Sequence, residues 1–133
     1  MNLTKKIFIL TLLSFFGCKK EPICTVNKNN AGKQTYDLDE AACFIALKLN
    51  KKKSDLNLIR SALIAEENYM NKIGLISENP NTESESESNT EMDINEMVAY
   101  ALNEEKVDLT KDELIEIYDT EIEYLMFIGV VEE

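Results

Sequence analysis

Ala65-Glu66-Glu67-Asn68-Tyr69-Met70 and Thr120-Glu121-Ile122-Glu123-Tyr124-Leu125 are two versions of one pattern, 55 residues apart. Ile73-Gly74-Leu75-Ile76 follows the first and Ile128-Gly129-Val130-Val131 the second, at the same offset. Upstream, Asp37-Leu38-Asp39-Glu40 is matched by Asp93-Ile94-Asn95-Glu96 at an offset of 56. One extra residue in a loop explains the difference. The chain therefore reads as an internal repeat of two units.

Each unit reads as a helical hairpin. Asp37 with Glu40, and Asp93 with Glu96, have capping-box spacing, in which the first side chain caps the helix and the fourth reaches back. Thr110 with Glu113 repeats that signature, and Asp55 holds the matching place in the first unit. Apolar residues recur at helical spacing: Leu38, Ala41, Ala42, Ile45 and Leu49 in one first helix, and Ile94, Met97, Val98 and Ala101 in the other. The second helices carry Ile59, Ala62, Leu63, Tyr69, Met70 and Ile73, then Leu114, Ile117, Tyr118, Tyr124, Leu125 and Ile128. Gly74 and Gly129 fall where a left-handed residue ends a helix. No strand pattern competes. The expectation is an all-α fold, with hairpins at 37–77 and 92–133 packed as one small four-helix bundle.

The same alignment isolates Glu66 and Glu121. Glu66 stands four after Ala62 and three before Tyr69, and Glu121 four after Ile117 and three before Tyr124. Both occupy places where the apolar stripe asks for a core residue. A carboxylate there must be hydrogen-bonded, paired, or at the core's edge. The structural expectation is that each bonds a tyrosine hydroxyl or an exposed helix N-terminus. The functional alternative is a buried pair of facing acids that binds a small ligand or a divalent metal, or acts as acid and base. Bundle di-metal sites built on facing glutamates also use histidine, and the chain has no histidine. No metal ligand set and no cofactor is therefore expected. Tyr69 and Tyr124 read as core aromatics with wet hydroxyls. Lys48, Lys51, Lys52 and Lys53 close the first helix, where the helix dipole favours positive charge. Docking on the acidic second unit or on a partner is the alternative for them.

Two polar segments lie outside the hairpins. Residues 18–36 read as a flexible tether. Residues 78–91 contain Pro80 and the alternating Glu83-Ser84-Glu85-Ser86-Glu87-Ser88, and read as a disordered linker that cannot bury a core. Before the tether, Lys5 and Lys6 precede an apolar run from Ile7 to Phe16, and Gly17-Cys18 follows. This is the pattern of a secretory signal peptide, here 1–17. The run is too short to span a bilayer, which takes about 20 apolar residues.

Phe15-Phe16-Gly17-Cys18 resembles the lipobox of bacterial lipoproteins, in which a small residue precedes an invariant cysteine. Gly17 and Cys18 match; Phe15 and Phe16 depart from the commoner leucine and small-residue pattern and resemble the looser form of Bacteroidetes lipoproteins. The resemblance implies that Cys18 is acylated and becomes the mature N-terminus, cut by signal peptidase II. Lys19, rather than an aspartate, after the cysteine implies the outer membrane of the cell envelope, with the face left open. Each hairpin also faintly resembles the N-terminal helical pair of HU-type DNA-binding proteins, but no basic arm or strand pattern follows it.

Charge bears on partners. The formal net charge is −11, and becomes −13 when Lys5 and Lys6 are removed with the signal segment. Such a chain is a poor ligand for nucleic acid or for an acidic lipid surface. From Glu91 to Glu133 there are fourteen acids and two bases, against seven and six from Asp37 to Glu78. The second hairpin is either a solvated acidic surface or a docking face for a basic protein. Ser54 and Ser61 have no base to activate them, and the four glycines form no phosphate loop. Outside the cytoplasm a disulfide between Cys24 and Cys43 is allowed; otherwise Cys43 is a buried thiol and Cys24 an exposed one. The reading is a membrane-anchored lipoprotein with a non-enzymatic, protein-binding helical domain, in its specific form an immunity or inhibitor protein. The alternative is a small-ligand or divalent-metal binder using Glu66 and Glu121.

Overall fold

The computed structural model describes residues 21–76 and 92–132. The signal segment 1–17, Cys18 and the expected linker at 78–91 lie outside the described residues. Among those described, the protein is all-helical, with four α-helices and no strand. They are α1 (Leu38–Lys48), α2 (Leu56–Lys72), α3 (Ile94–Asn103) and α4 (Lys111–Phe127). Helices α1 and α3 each pack on both α2 and α4, and α2 touches α4 across the centre, as in a small helical bundle. No described helix is long and apolar enough to cross a membrane.

The helix starts follow local chemistry, with three differences from expectation. In one, Glu96 forms no capping box with Asp93 and receives the Tyr69 hydroxyl instead. Thr110 and Glu113 form the full reciprocal box. Asp37 accepts from the Glu40 N–H, but the Glu40 carboxylate turns away to receive the Asn27 N–H and the Asn30 amide. Asp55 makes no cap bond to α2; its carboxylate receives the Lys52 N–H and closes the short 3-10 turn Lys53–Asp55. Asp93 caps α3 through the Asn95 N–H. Asn50 and Lys106, in the turns after α1 and α3, both take left-handed backbone. Gly74 and Gly129, after α2 and α4, do the same at φ 78° and 80°.

Most of the expected core residues are buried, while Leu38, Leu49, Met70, Ile73, Ile94 and Leu125 are half-buried. Ala41, Ala42, Ile45, Ile59, Ala62, Leu63, Met97, Val98, Ala101, Leu114, Ile117 and Ile128 are buried together. Small residues on α1 let that helix approach its neighbours closely, and larger side chains on α4 fill the space between. Tyr118 adds a buried link, donating its hydroxyl to the Ala62 carbonyl of α2 at 3.1 Å.

The segment expected to be a flexible tether is different over its described part. Residues 21–36 form an arm held against α1 and α4. A disulfide joins Cys24 to Cys43 of α1. Gly32 and Gln34 donate their N–H groups to the Phe127 and Ile128 carbonyls, at 3.0 and 2.7 Å. These are carbonyls at the end of α4, which have no partner within the helix. The approach is close: a Cβ on Gly129 would lie 3.1 Å from Gly32 Cα. Local composition reads as tether because it is polar, whereas the acceptors that hold the arm lie nearly a hundred residues away.

Candidate functional site

Helices α2 and α4 bring Glu66 and Glu121 together in the centre of the bundle. Both are buried, at 9% and 7% exposure. Tyr36, just before α1, donates its hydroxyl to Glu121 Oε1 at 2.6 Å. Burial, the contact with Glu121 and the charge beside it push the Glu66 carboxyl up to about 10. Glu66 therefore holds a proton at neutral pH. With that carboxyl ionised, Glu66 Oε2 would be a buried acceptor without a donor. Neutral, the group donates toward Glu121 instead, and the pair shares one proton. Burial of the Tyr36 hydroxyl and the Glu121 carboxylate push that phenol up as well, so it stays a donor.

The tyrosines named from sequence have other partners. Tyr124 donates to Glu40 Oε1 and Tyr69 to Glu96 Oε2, each at 3.1 Å. Neither reaches Glu66 or Glu121; of the two acids expected to bond a tyrosine hydroxyl or a helix N-terminus, Glu121 bonds the Tyr36 hydroxyl and Glu66 Oε2 meets no donor. Both bonds run between hairpins, from α4 to α1 and from α2 to α3. Each tyrosine also meets a ring of the other hairpin at 5.6 Å, Tyr124 with Phe44 and Tyr69 with Tyr100. Sequence reasoning missed Tyr36, because it fell in the supposed tether. Its signal was its register, directly before the Asp37 cap, where a large side chain folds back on the helix.

This arrangement can hold and exchange a proton, and two carboxyls alone make a thin ligand set for a metal. Among the described residues no group of three or more Cys, Asp or Glu side chains could hold a metal ion.

The second candidate is a surface. Asp112, Glu116, Asp119 and Glu123 are exposed on α4. Their spacing of four, three and four puts them on one helix face. Lys51 reaches Glu116 at 3.9 Å and Lys48 reaches Glu123 at 2.8 Å. These two lysines bridge to the second hairpin rather than serving only the end of α1. Exposed pairs of this kind contribute about 0–1 kcal/mol each and leave the face open to competition. Asp112 and Asp119 have no basic partner among the described ion pairs.

The molecule is thus a small acidic helical domain with a proton-sharing core pair and one acidic helix face. No family model matches the chain, and neither the curated proteins nor the solved structures contain a match to it.

Proposed function

We propose that this chain is a lipid-anchored protein of the bacterial cell envelope whose helical domain binds a basic protein through the acidic face of α4. The observation that carries the binding reading is the single-faced stripe of Asp112, Glu116, Asp119 and Glu123. The anchor reading rests on Gly17-Cys18 behind a short apolar run. An immunity or inhibitor protein, neutralising a cationic toxin or enzyme at the envelope, is the specific form that fits size, charge and location. No catalytic role is assigned.

We also read the two hairpins as copies of one unit related by a pseudo-two-fold. The paired bonds Tyr124–Glu40 and Tyr69–Glu96 support this, as do the paired rings and the left-handed turns at Asn50 and Lys106. The acidic face belongs to one copy only: the residues of α2 that match Asp112, Glu116, Asp119 and Glu123 are Asn57, Ser61, Ile64 and Asn68.

The test uses the mature domain as bait for envelope proteins, beside a variant with Asp112→Asn, Glu116→Gln and Asp119→Asn. The expected result is a cationic partner that wild type retains and that added salt or the variant releases. A partner held equally by both baits at high salt sinks the acidic-face reading. For the anchor, Cys18→Ser is expected to move the protein from the membrane to the soluble fraction; a protein that stays with the membrane defeats it.

A further inference from the structure

Resting on the lipid-anchor reading above, we infer that the open apolar groove between the N-terminal arm and the α1–α4 seam is a bilayer-docking site, seating on the membrane that holds the Cys18 lipid. The groove measures about 480 Å³ and is walled by Pro22, Cys24, Val26, Phe44, Leu47 and Phe127. Leu47 is 40% exposed. Two lysines, Lys28 and Lys48, also line it.

Chain length selects the occupant. A flexible tether of 18 residues would let the domain hang clear of the membrane. The arm, however, is fixed to α1 by the Cys24–Cys43 bond and to α4 by Gly32 and Gln34. Between Cys18 and the groove wall at Pro22 there are only Lys19, Lys20 and Glu21. Fully extended, that stretch spans at most about 14 Å. The headgroup layer of one leaflet is about 5–8 Å thick. An acyl group on Cys18 therefore keeps the groove mouth within reach of the lipid surface.

Charge agrees with that orientation. Lys19, Lys20 and Lys28 can meet anionic headgroups. Lys48 is paired with Glu123, which is the one member of the acidic stripe near this end. Asp112 and Glu116 precede Phe127 by 15 and 11 residues on α4, about 22 and 16 Å along the helix axis. The domain so seated has a lipid-facing end and an acidic end that projects from it. Seating by the groove alone would be weak; the anchor makes it intramolecular and so raises the effective concentration.

The experiment uses the full lipidated mature chain on vesicles of phosphatidylethanolamine and phosphatidylglycerol. The chain has no tryptophan, so Leu47→Trp and Asp119→Trp each report a single place. Vesicle flotation is scored first, then emission and quenching by brominated lipid. The expected result is flotation of both variants, with blue-shifted emission and loss of most intensity to brominated lipid for Leu47→Trp and neither change for Asp119→Trp. A protein that floats while its Leu47→Trp indole stays in water overturns the docking site and leaves the anchor standing. A protein that does not float removes the anchor reading and this inference with it. Emission that shifts with protein concentration in the absence of vesicles assigns the groove to a second copy of the chain and also overturns the proposal. If Leu47→Trp does not fold, amide hydrogen exchange of the wild-type protein decides: slowing at residues 22–28 and 44–48 on vesicles, with none at 112–119, is the supporting outcome, and unchanged exchange the overturning one.

Discussion

The α1–α2 and α3–α4 hairpins have nearly the same lengths and similar turns, yet they treat the same buried acid differently. Glu121 receives a hydroxyl from Tyr36, directly before the α1 cap. The residue directly before the α3 cap is Met92, as exposed as Tyr36 at 42% but without a donor. Glu66 is thus left to satisfy itself by keeping a proton. Similarly, Gly74 and Gly129 end their helices with the same backbone, but among the described residues Gly129 meets another chain segment, at Gly32, and Gly74 meets none. Two hairpins that share a pattern thus differ in which buried carboxyl a neighbouring hydroxyl reaches. The arm makes a further difference, since it bonds α1 and the end of α4.

The largest effect expected from removing that asymmetry is at the disulfide. Cys24 and Cys43 are 19 residues apart, and opening such a loop costs about 3 kcal/mol. Cys24→Ser/Cys43→Ser should lower the urea midpoint accordingly, and reductant should lower it in wild type but not in the variant. Equal midpoints for reduced and oxidised wild type would show that the disulfide adds nothing to the bundle.

Next comes the proton on Glu66. Its folded-state value, about 10, lies above the 4.5 of an ordinary glutamate. The unfolded chain therefore releases this proton first, and stability should fall as pH rises from about 4.5 toward about 10, by at most about 1.4 kcal/mol per pH unit. Glu66→Gln, which keeps a donor toward Glu121, should flatten that slope and stabilise the fold by about 2 kcal/mol at neutral pH. Denaturation of both proteins across the pH range is the check, and parallel curves would refute the shared proton.

Tyr36→Phe removes the Glu121 donor and is expected to destabilise by about 1.5 kcal/mol, the value of a hydrogen bond to a charged group. The smallest effect tests the repeat itself. Met92→Tyr would offer Glu66 the hydroxyl that Tyr36 gives Glu121, and should stabilise by about 0.5–1 kcal/mol. A gain for Met92→Tyr that survives in the Glu66→Gln background would place the new hydroxyl elsewhere.

The helices and most of the core were legible in the sequence, because amphipathic spacing and caps are local signals. The burial of Glu66 and Glu121 was legible for the same reason, as interruptions in an apolar stripe. Their partners were not. Tyr36 reaches Glu121 across 85 residues, and Asn27 and Asn30 turn Glu40 away from its expected capping bond. Gly32 and Gln34 bind carbonyls that the sequence marks only as a helix end. Polar residues lack the periodicity that makes apolar ones readable, so a docked arm and a loose tether look alike until the acceptors are placed.

The Cys24–Cys43 bond also sets an order of events. The chain has three cysteines, and joining two of them leaves Cys18 as the odd thiol. A thiol six residues from Cys24 is a rival for the same oxidation, and exchange between them would open the arm. On the lipoprotein reading, acylation of Cys18 takes that rival away. Disulfides of this kind persist in oxidising compartments, since cytosolic thiols would keep them open. On that same reading, lipid attachment would protect the fidelity of pairing, and arm closure would mark a chain that has completed export.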